Sequence, residues 1–286
     1  MSKNLLQRIA FAGVAIPLTV LIIWQGGWLL AALLAVLGVL GAREVYDLAR
    51  RQGVAALTEP GYLAAAMIPL ATYWAKGSEL HWAEPAIFAG AMWLMLVLGA
   101  ALTYRGPDQR PLAAVAVTVF GPLYASALPA FLIAIRHGAD APERNWPFAW
   151  LVLFPLALTW ICDTAAMAAG TTIGGRKLAP VVSPNKTWAG AVGGLLGAVA
   201  GSFLIGGLVL PRFGWHLYVW ELLAVGAMVG LLAQVGDVAE SLFKREAGVK
   251  DSSSLIPGHG GVLDRLDSLY FVLPASAGLF KLFGLI

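Results

Sequence analysis

The chain of 286 residues is 59% hydrophobic, only 12% charged and contains 11 tryptophans, which excludes an ordinary soluble domain and is typical of an integral membrane protein. Its net charge is +3, and we expect no nucleic-acid partner. The single cysteine, Cys162, excludes an internal disulfide and a cysteine-rich zinc site.

Nine apolar segments approach the length of about 20 residues that a helix needs to cross a bilayer. They are 8–24, 27–42, 61–75, 86–104, 112–135, 147–170, 188–210, 219–243 and 266–285. We expect the first segment to be retained as a transmembrane helix, because it lacks a small-residue cleavage site. Prolines at 17, 69, 122, 129, 155 and 274 predict kinks rather than helix ends. The sequence therefore predicts an all-α polytopic membrane protein with about nine transmembrane helices.

The two halves of the chain differ in their polar content. Residues 1–146 are mainly apolar helices that we expect to face lipid, pack together and take part in any oligomer. Residues 147–286 carry most of the polar loops and intramembrane acids, and we expect the two halves to form one continuous membrane domain. The connection 42–59 is amphipathic and predicts a segment lying at the membrane surface. Whether the protein is a homodimer stays open.

The distribution of basic residues predicts the orientation. With nine spans and a cytoplasmic N-terminus, all but five of the 19 lysines and arginines lie on the cytoplasmic side. The five exceptions are Lys76, Arg136, Arg144, Arg212 and Lys281. Because cytoplasmic loops are enriched in basic residues, this asymmetry favours a cytoplasmic N-terminus and an external C-terminus.

Five acids are expected to reach one layer at the cytoplasmic ends of three helices: Asp163, Asp237, Glu240, Asp264 and Asp267. An unpaired charge at the centre of a membrane helix costs about 2.5–3.5 kcal/mol, so such acids should face a cavity, a cation or a partner. Carboxylates without a histidine or cysteine cluster suit Mg²⁺. The five acids therefore predict a cation site, with Mg²⁺ as the ion. The alternative is that the acids only pair with nearby bases at the water interface.

A glycine-rich loop lies between the last two predicted helices. It reads Pro257-Gly258-His259-Gly260-Gly261, and its glycines allow backbone N–H groups to approach an anion such as a phosphate. His259 could donate to a phosphate oxygen or simply order the turn. Since glycine-rich connections are often only turns, both interpretations stay open.

A second polar loop, residues 174–188, is predicted on the same side of the membrane. Ser183, Lys186 and Thr187 lie in it, and basic and hydroxyl groups beside carboxylates suit an anionic substrate held with a metal. The alternative is that the charges of this loop only retain it in the cytoplasm. Glycines 190, 194, 197 and 201 on the next helix indicate close helix packing rather than function.

The segment from Ser241 to Asp267 resembles the signature of the phosphatidate cytidylyltransferases, also called CDP-diacylglycerol synthases. It reads Ser-x-Phe-Lys-Arg from Ser241, then Lys250-Asp251, then Ile-Pro-x-His-Gly-Gly-Val-x-Asp-Arg-Leu-Asp from Ile256. The pair Asp163-Thr164 and the loop from Ser183 to Trp188 resemble the family's upstream motifs. Where such enzymes often carry an acid after that tryptophan, this chain has Ala189.

The resemblance implies an all-helical membrane enzyme that converts CTP and phosphatidate into CDP-diacylglycerol and pyrophosphate among membrane lipids. It implies a bacterial inner membrane and an active site on the cytoplasmic side. Under it, we expect the catalytic residues to be Asp237, Lys244, Asp264 and Asp267. The resemblance also implies Asp163, Asp237, Asp264 and Asp267 as ligands of Mg²⁺, with room for a second cation. The expected substrate-binding residues are Ser183, Lys186, Thr187, Ser241, Arg245, Lys250, His259, Gly260, Gly261 and Arg265.

Other functions share part of this pattern. An ion-coupled transporter would also place acids inside membrane helices broken by proline and glycine. Another CTP-dependent transferase, acting on a different lipid phosphate or on a lipid alcohol, would use the same electrostatics. A purely structural scaffold gives no reason to concentrate acids at one depth.

Overall fold

A computed structural model describes residues 3–76, 83–138, 141–256, 258 and 260–286 of the protein. Helices account for most of this part of the chain. Their bounds are α1 Lys3–Gln25, α2 Gly27–Arg51, α3 Thr58–Ala75, α4 Ala83–Tyr104, α5 Pro111–Pro122, α6 Leu128–Arg136, α7 Trp146–Thr172, α8 Trp188–Leu208, α9 Val219–Glu246, α10 Leu263–Leu266 and α11 Leu269–Leu282. Two short strands, β1 Lys177–Ala179 and β2 Ser183–Thr187, form an antiparallel hairpin.

Six helical runs in the described residues are long and apolar enough to cross a membrane: Gly27–Arg51, Pro85–Tyr104, Pro111–Arg136, Trp146–Thr172, Trp188–Leu208 and Val219–Glu246. They agree with the predicted class, an all-α polytopic membrane protein. The number of nine crossings and the orientation stay predictions.

Proline changes the helices without ending the predicted spans. Pro17, Pro69, Pro155 and Pro274 lie inside helices. Between α5 and α6, a π-helical turn over Leu123–Ala127 carries the chain on as one helical run. Proline lacks an N–H donor and its ring disturbs the preceding turn, so a local change of helical pitch is the expected response.

Helices α7, α8 and α9 pack closely because glycines line their contacts. A Cβ atom on Gly190 would lie 2.8 Å from the Ala166 carbonyl oxygen of α7. A Cβ atom on Gly226 of α9 would lie 2.7 Å from the Cα of Val199 on α8. These distances are shorter than a carbon contact allows, so the glycines let the backbones approach. The prediction that glycines of α8 serve helix packing is confirmed.

The second helix differs from the prediction at its C-terminal end. The sequence predicted a surface-lying segment at 42–59, but α2 continues to Arg51 and buries Glu44, Val45, Tyr46 and Leu48. The Tyr46 hydroxyl donates to the Thr118 carbonyl, 2.9 Å away. The amphipathic pattern was real, but its apolar face packs against protein rather than lipid.

The last predicted span, 266–285, is interrupted near its start. α10 ends at Leu266 and α11 begins at Leu269, and the Ser268 hydroxyl donates to the Ala233 carbonyl of α9, 3.0 Å away. Opposite this junction stands Gly236, where a Cβ atom would lie 2.5 Å from the Asp267 carbonyl oxygen. The backbone beside Asp267 therefore rests directly on α9.

Gly226→Ala should destabilise the protein, because the added methyl group must push α8 and α9 apart. Overpacking of this kind costs about 1–3 kcal/mol, and thermal unfolding in detergent would show it as a lower midpoint. The matched control is Gly99→Ala on α4, where no atom lies within 4 Å of the added Cβ and no loss is expected. Equal midpoints for the two variants would contradict the packing argument.

Candidate active site

The β1–β2 hairpin carries Lys186 and contacts α9 near the end of that helix predicted to be cytoplasmic. The Lys186 ammonium lies 2.6 Å from a carboxylate oxygen of Asp237 on α9. Arg245, also on α9, donates to the Val182 carbonyl of the hairpin turn at 3.1 Å. Two basic side chains therefore join the hairpin to α9.

Thr187 serves a local structural purpose. Its hydroxyl accepts a hydrogen bond from the Gly190 N–H at 3.0 Å, as the N-cap of α8, and the residue is buried. N-capping threonines satisfy a backbone donor that the helix itself cannot. The sequence predicted Thr187 as a substrate-binding residue, and that role stays a prediction, since the hydroxyl that accepts the cap bond also lines the cavity described next.

A cavity of about 310 Å³ opens between α7, α8, α9 and the hairpin. Its polar lining consists of Asp163, Thr171, Asn185, Lys186, Thr187, Gln234 and Asp237. Asp163 lies close enough to Asp267 and Asp237 for the three carboxylates to interact electrostatically. The cavity therefore brings acids from α7 and α9 together with a lysine, and Asp267 of the α10–α11 junction lies near these acids.

A second ionic cluster lies farther along α9. The Lys244 ammonium is 3.0 Å from the Glu240 carboxylate and 2.6 Å from the Asp264 carboxylate. Glu240 is 0% exposed and Lys244 8% exposed, so water screens this cluster weakly. The spacing of Glu240 and Lys244, one helical turn apart, puts both on one face as the sequence predicted.

Asp264 accepts hydrogen bonds from both ends of the connection between α9 and α10. One of its oxygens accepts from the Ser252 N–H at 2.8 Å, the Ser252 hydroxyl at 2.7 Å and the Gly261 N–H at 2.8 Å. Gly260 adopts a φ of +81°, which favours glycine. Burial alone would raise the pKa of Asp264, but the hydrogen bonds from Lys244, Gly261 and Ser252 outweigh it and hold the pKa below its ordinary value.

Negative charge exceeds positive charge in this layer. Five acids meet there, Asp163, Asp237, Glu240, Asp264 and Asp267, whereas the lysines paired with them are Lys186 and Lys244. Within the described residues, no group of three or more acids, histidines or cysteines is arranged to hold a metal by itself. Mg²⁺ commonly uses one or two carboxylates together with waters and substrate phosphates, so the donor set fits that ion.

The remaining predicted site residues lie around the two clusters. The Ser241 hydroxyl is 3.5 Å from an Asp237 oxygen and the residue is buried. Lys250 and Arg265 are exposed, and Ser183 is half-buried on β2. Gly261 is buried beside Asp264. His259 lies outside the described residues.

Sequence reasoning missed four polar residues of this site: Glu44, Ser252, Ser253 and Gln234. Glu44 comes from α2, far away in sequence, and its carboxylate meets the loop from Ser252 to Leu263. An acid at the end of an apolar helix was an available signal. This signal was not used, because the neighbouring charges of Arg43, Asp47 and Arg50 are typical of a helix that lies at the membrane surface.

The fold and the site together define a polytopic helical membrane protein with a buried carboxylate and lysine centre at one end of its helices. The chain belongs to the Cytidylyltransferase family, whose sequence model matches residues 6–283. This agrees with the resemblance carried by the Ser241–Asp267 segment.

Individual relatives point the same way. A protein of Synechocystis sp. named phosphatidate cytidylyltransferase is 30% identical over 292 residues, which cover 94% of each chain. Phosphatidate cytidylyltransferase 4, chloroplastic, of Arabidopsis thaliana is 31% identical over 94% of this chain and 72% of its own. A phosphatidate cytidylyltransferase of Brucella suis is 48% identical over 141 residues, 49% of each chain, so that match spans about half the length of the relative.

Asp264→Asn should destabilise the protein at neutral pH, and the loss should disappear in acid. Because the pKa of Asp264 is depressed in the folded state, the carboxylate stabilises that state above its ordinary pKa of 3.8. The contribution vanishes as the pH falls through the lower, folded-state pKa. Thermal unfolding of both proteins in detergent, from neutral pH to below 3.8, measures the difference.

The matched control for this titration is Asp47→Asn, an acid whose side chain is 42% exposed on α2. It should unfold like the unchanged protein at every pH. A difference between Asp264→Asn and the unchanged protein that stays constant into acid would contradict the assigned hydrogen bonding.

Proposed function

We propose that the protein transfers CMP from CTP to phosphatidate and releases pyrophosphate, forming CDP-diacylglycerol. The names of its relatives support this activity. The observation that carries the proposal is the meeting of Lys186 and Lys244 with five acids in one layer of the membrane domain. A reaction between two polyanions needs this kind of concentrated and oriented charge.

In the proposed reaction, a phosphate oxygen of phosphatidate attacks the α-phosphorus of CTP. A phosphorus–oxygen bond forms to the lipid, and the bond from the α-phosphorus to the bridging oxygen breaks to release pyrophosphate. No covalent enzyme intermediate is required, since positioning and charge stabilisation account for most of phosphoryl-transfer catalysis. The acyl chains stay in the membrane while the head group meets CTP.

The basic residues divide between the two substrates by position. Lys186 faces the cavity, where it can exchange Asp237 for a lipid phosphate, with Ser183 on the same strand. Four basic residues flank, in the sequence, the loop that ends at Asp264 and would neutralise the triphosphate: Lys244, Arg245, Lys250 and Arg265. Gly260 and Gly261, with His259, complete the proposed nucleotide loop.

Mg²⁺ is the proposed cofactor, with Asp237 and Asp267 as ligands and Asp163 across the same cavity. Bound there, the ion would supply positive charge to the triphosphate. Asp264 was also predicted as a ligand. Its oxygens already accept hydrogen bonds from Lys244, Ser252 and Gly261. Asp264 can therefore bind Mg²⁺ only if at least one of these hydrogen bonds breaks. A second cation is compatible with the excess of acids.

The proposed topology has nine crossings, a cytoplasmic N-terminus and the site on the cytoplasmic side of a bacterial inner membrane. Two observations support it. Each of the nine predicted segments falls on helix in the described residues, and this topology puts all but five of the 19 lysines and arginines on one side of the membrane.

Incubation of the purified protein with phosphatidate and CTP labelled at the α-phosphorus should move the label into the lipid and release pyrophosphate. A chelator should stop the reaction, and added Mg²⁺ should restore it. Transfer of the γ-phosphate with release of CDP would instead identify a lipid kinase. Absence of any lipid product would reject the proposed enzyme.

Lys244→Ala should reduce kcat/KM for CTP by about 10- to 100-fold, the loss expected when a charge-assisted hydrogen bond is removed. Varying the CTP concentration at fixed phosphatidate measures it. Lys281→Ala removes the same charge from an exposed position on α11 and should leave the kinetics unchanged. Unchanged CTP dependence in Lys244→Ala would contradict the phosphate contact.

A further inference from the structure

Glu44 is a buried carboxylate that lies where the apolar N-terminal half of the chain meets the active-site loop. It belongs to α2 and is 3% exposed. No lysine or arginine among the described residues forms an ion pair with it. A buried charge without a counter-ion is costly unless hydrogen bonds replace the lost water. The Glu44 carboxylate must therefore be stabilised by hydrogen-bond donors.

Four donors converge on this carboxylate, all from the loop between α9 and α11. One oxygen accepts from the Ser253 hydroxyl at 2.7 Å and the Val262 N–H at 2.9 Å. The other accepts from the Ser252 hydroxyl and the Leu263 N–H, both at 2.9 Å. Both oxygens therefore have two donors each, which explains how the charge is tolerated. It also means that one side chain holds both ends of the loop.

The same loop contacts Asp264, one of the proposed catalytic residues. The Ser252 hydroxyl lies between Glu44 and Asp264 and has a single proton to share between them. Asp264 in turn holds the Lys244 ammonium. A continuous chain of contacts therefore leads from α2 through Ser252 and Asp264 to Lys244.

Gly261 makes this arrangement possible. A Cβ atom at this position would collide with both the Glu44 carboxylate and the Ser252 hydroxyl. The glycine is thus required for the approach of Glu44 and not only for the turn.

We propose that Glu44 is a positioning residue that fixes the 252–263 loop against α2 and thereby sets the positions of Asp264 and Lys244 for nucleotide binding. The catalytic part of this inference rests on the proposed function. The structural part, that Glu44 orders the loop, stands independently. It gives the N-terminal half a direct part in the active site.

The test combines hydrogen exchange with kinetics on the full-length protein in detergent. Glu44→Gln keeps the size of the side chain but replaces one acceptor by an NH₂ donor that faces N–H and O–H donors. Amide exchange of residues 252–263 should become faster, while exchange in the β1–β2 hairpin stays unchanged. Asp47→Asn, one turn further along α2 and exposed, should alter neither.

In the kinetic arm, Glu44→Gln should lower kcat/KM for CTP by about 100-fold, the scale of loss caused by an ångström-sized misplacement. The assay temperature must leave all variants folded, as judged by their unfolding curves. Unchanged loop exchange in Glu44→Gln would overturn the proposal. Faster loop exchange with unchanged CTP kinetics would overturn its catalytic part. If the unchanged protein does not use CTP at all, the proposed function fails while the exchange result still decides the ordering of the loop.

Ser253→Ala provides a milder second variant in case Glu44→Gln does not fold. The Ser253 hydroxyl donates to Glu44 and not to Asp264, so its removal should speed exchange of the loop to a smaller extent. The hydroxyl also accepts from the Leu255 N–H at 3.2 Å, so in the double variant the effects of Ser253→Ala and Glu44→Gln should be less than additive, because the donation to the carboxylate is lost only once. Unchanged loop exchange in Ser253→Ala, or additive effects in the double variant, would count against Glu44 as the organiser of the loop.

Discussion

The Lys244 ammonium sits between Glu240 and Asp264, and the geometry of the site depends on this contact. Glu240 and Lys244 belong to α9, whereas Asp264 lies on α10, so a single lysine joins two elements of the active site. Desolvation of buried ions offsets much of their attraction, but loss of one partner leaves an uncompensated charge. The cluster therefore contributes more to the specificity of the arrangement than to net stability.

Around this contact, the protein concentrates acids that it only partly neutralises. Lys186 compensates Asp237 across the cavity, while Asp163 and Asp267 have each other as electrostatic neighbours. Like charges at close range are unfavourable in a poorly screened interior. The surplus is a reason for the site to attract cations, which the proposed reaction between a triphosphate and a lipid phosphate needs in order to bring its two anions together.

Much of this site follows from local sequence spacing. One face of α9 carries Asp237, Glu240 and Lys244, because their separations match the helical repeat. The glycines of α8 likewise predicted its close packing against neighbouring helices. Glu44 could not be placed in this way, since its donors are more than 200 residues distant and only the tertiary fold brings them together. The break before α11 was missed for a similar reason: the bond from Ser268 to the Ala233 carbonyl is a long-range contact.

The groups around the cavity are held in place in different ways. The Asp267 backbone rests against Gly236 with no side chain between them, so covalent geometry and helix packing set its place. The hairpin that lines the cavity is joined to α9 by Lys186 and Arg245. Both of these side chains are cations, and an incoming phosphate competes for them with their present acceptors, the Asp237 carboxylate and the Val182 carbonyl. Binding of a phosphate thus acts on the contacts that join the hairpin to α9, while the contact of the Asp267 backbone with α9 stays in place.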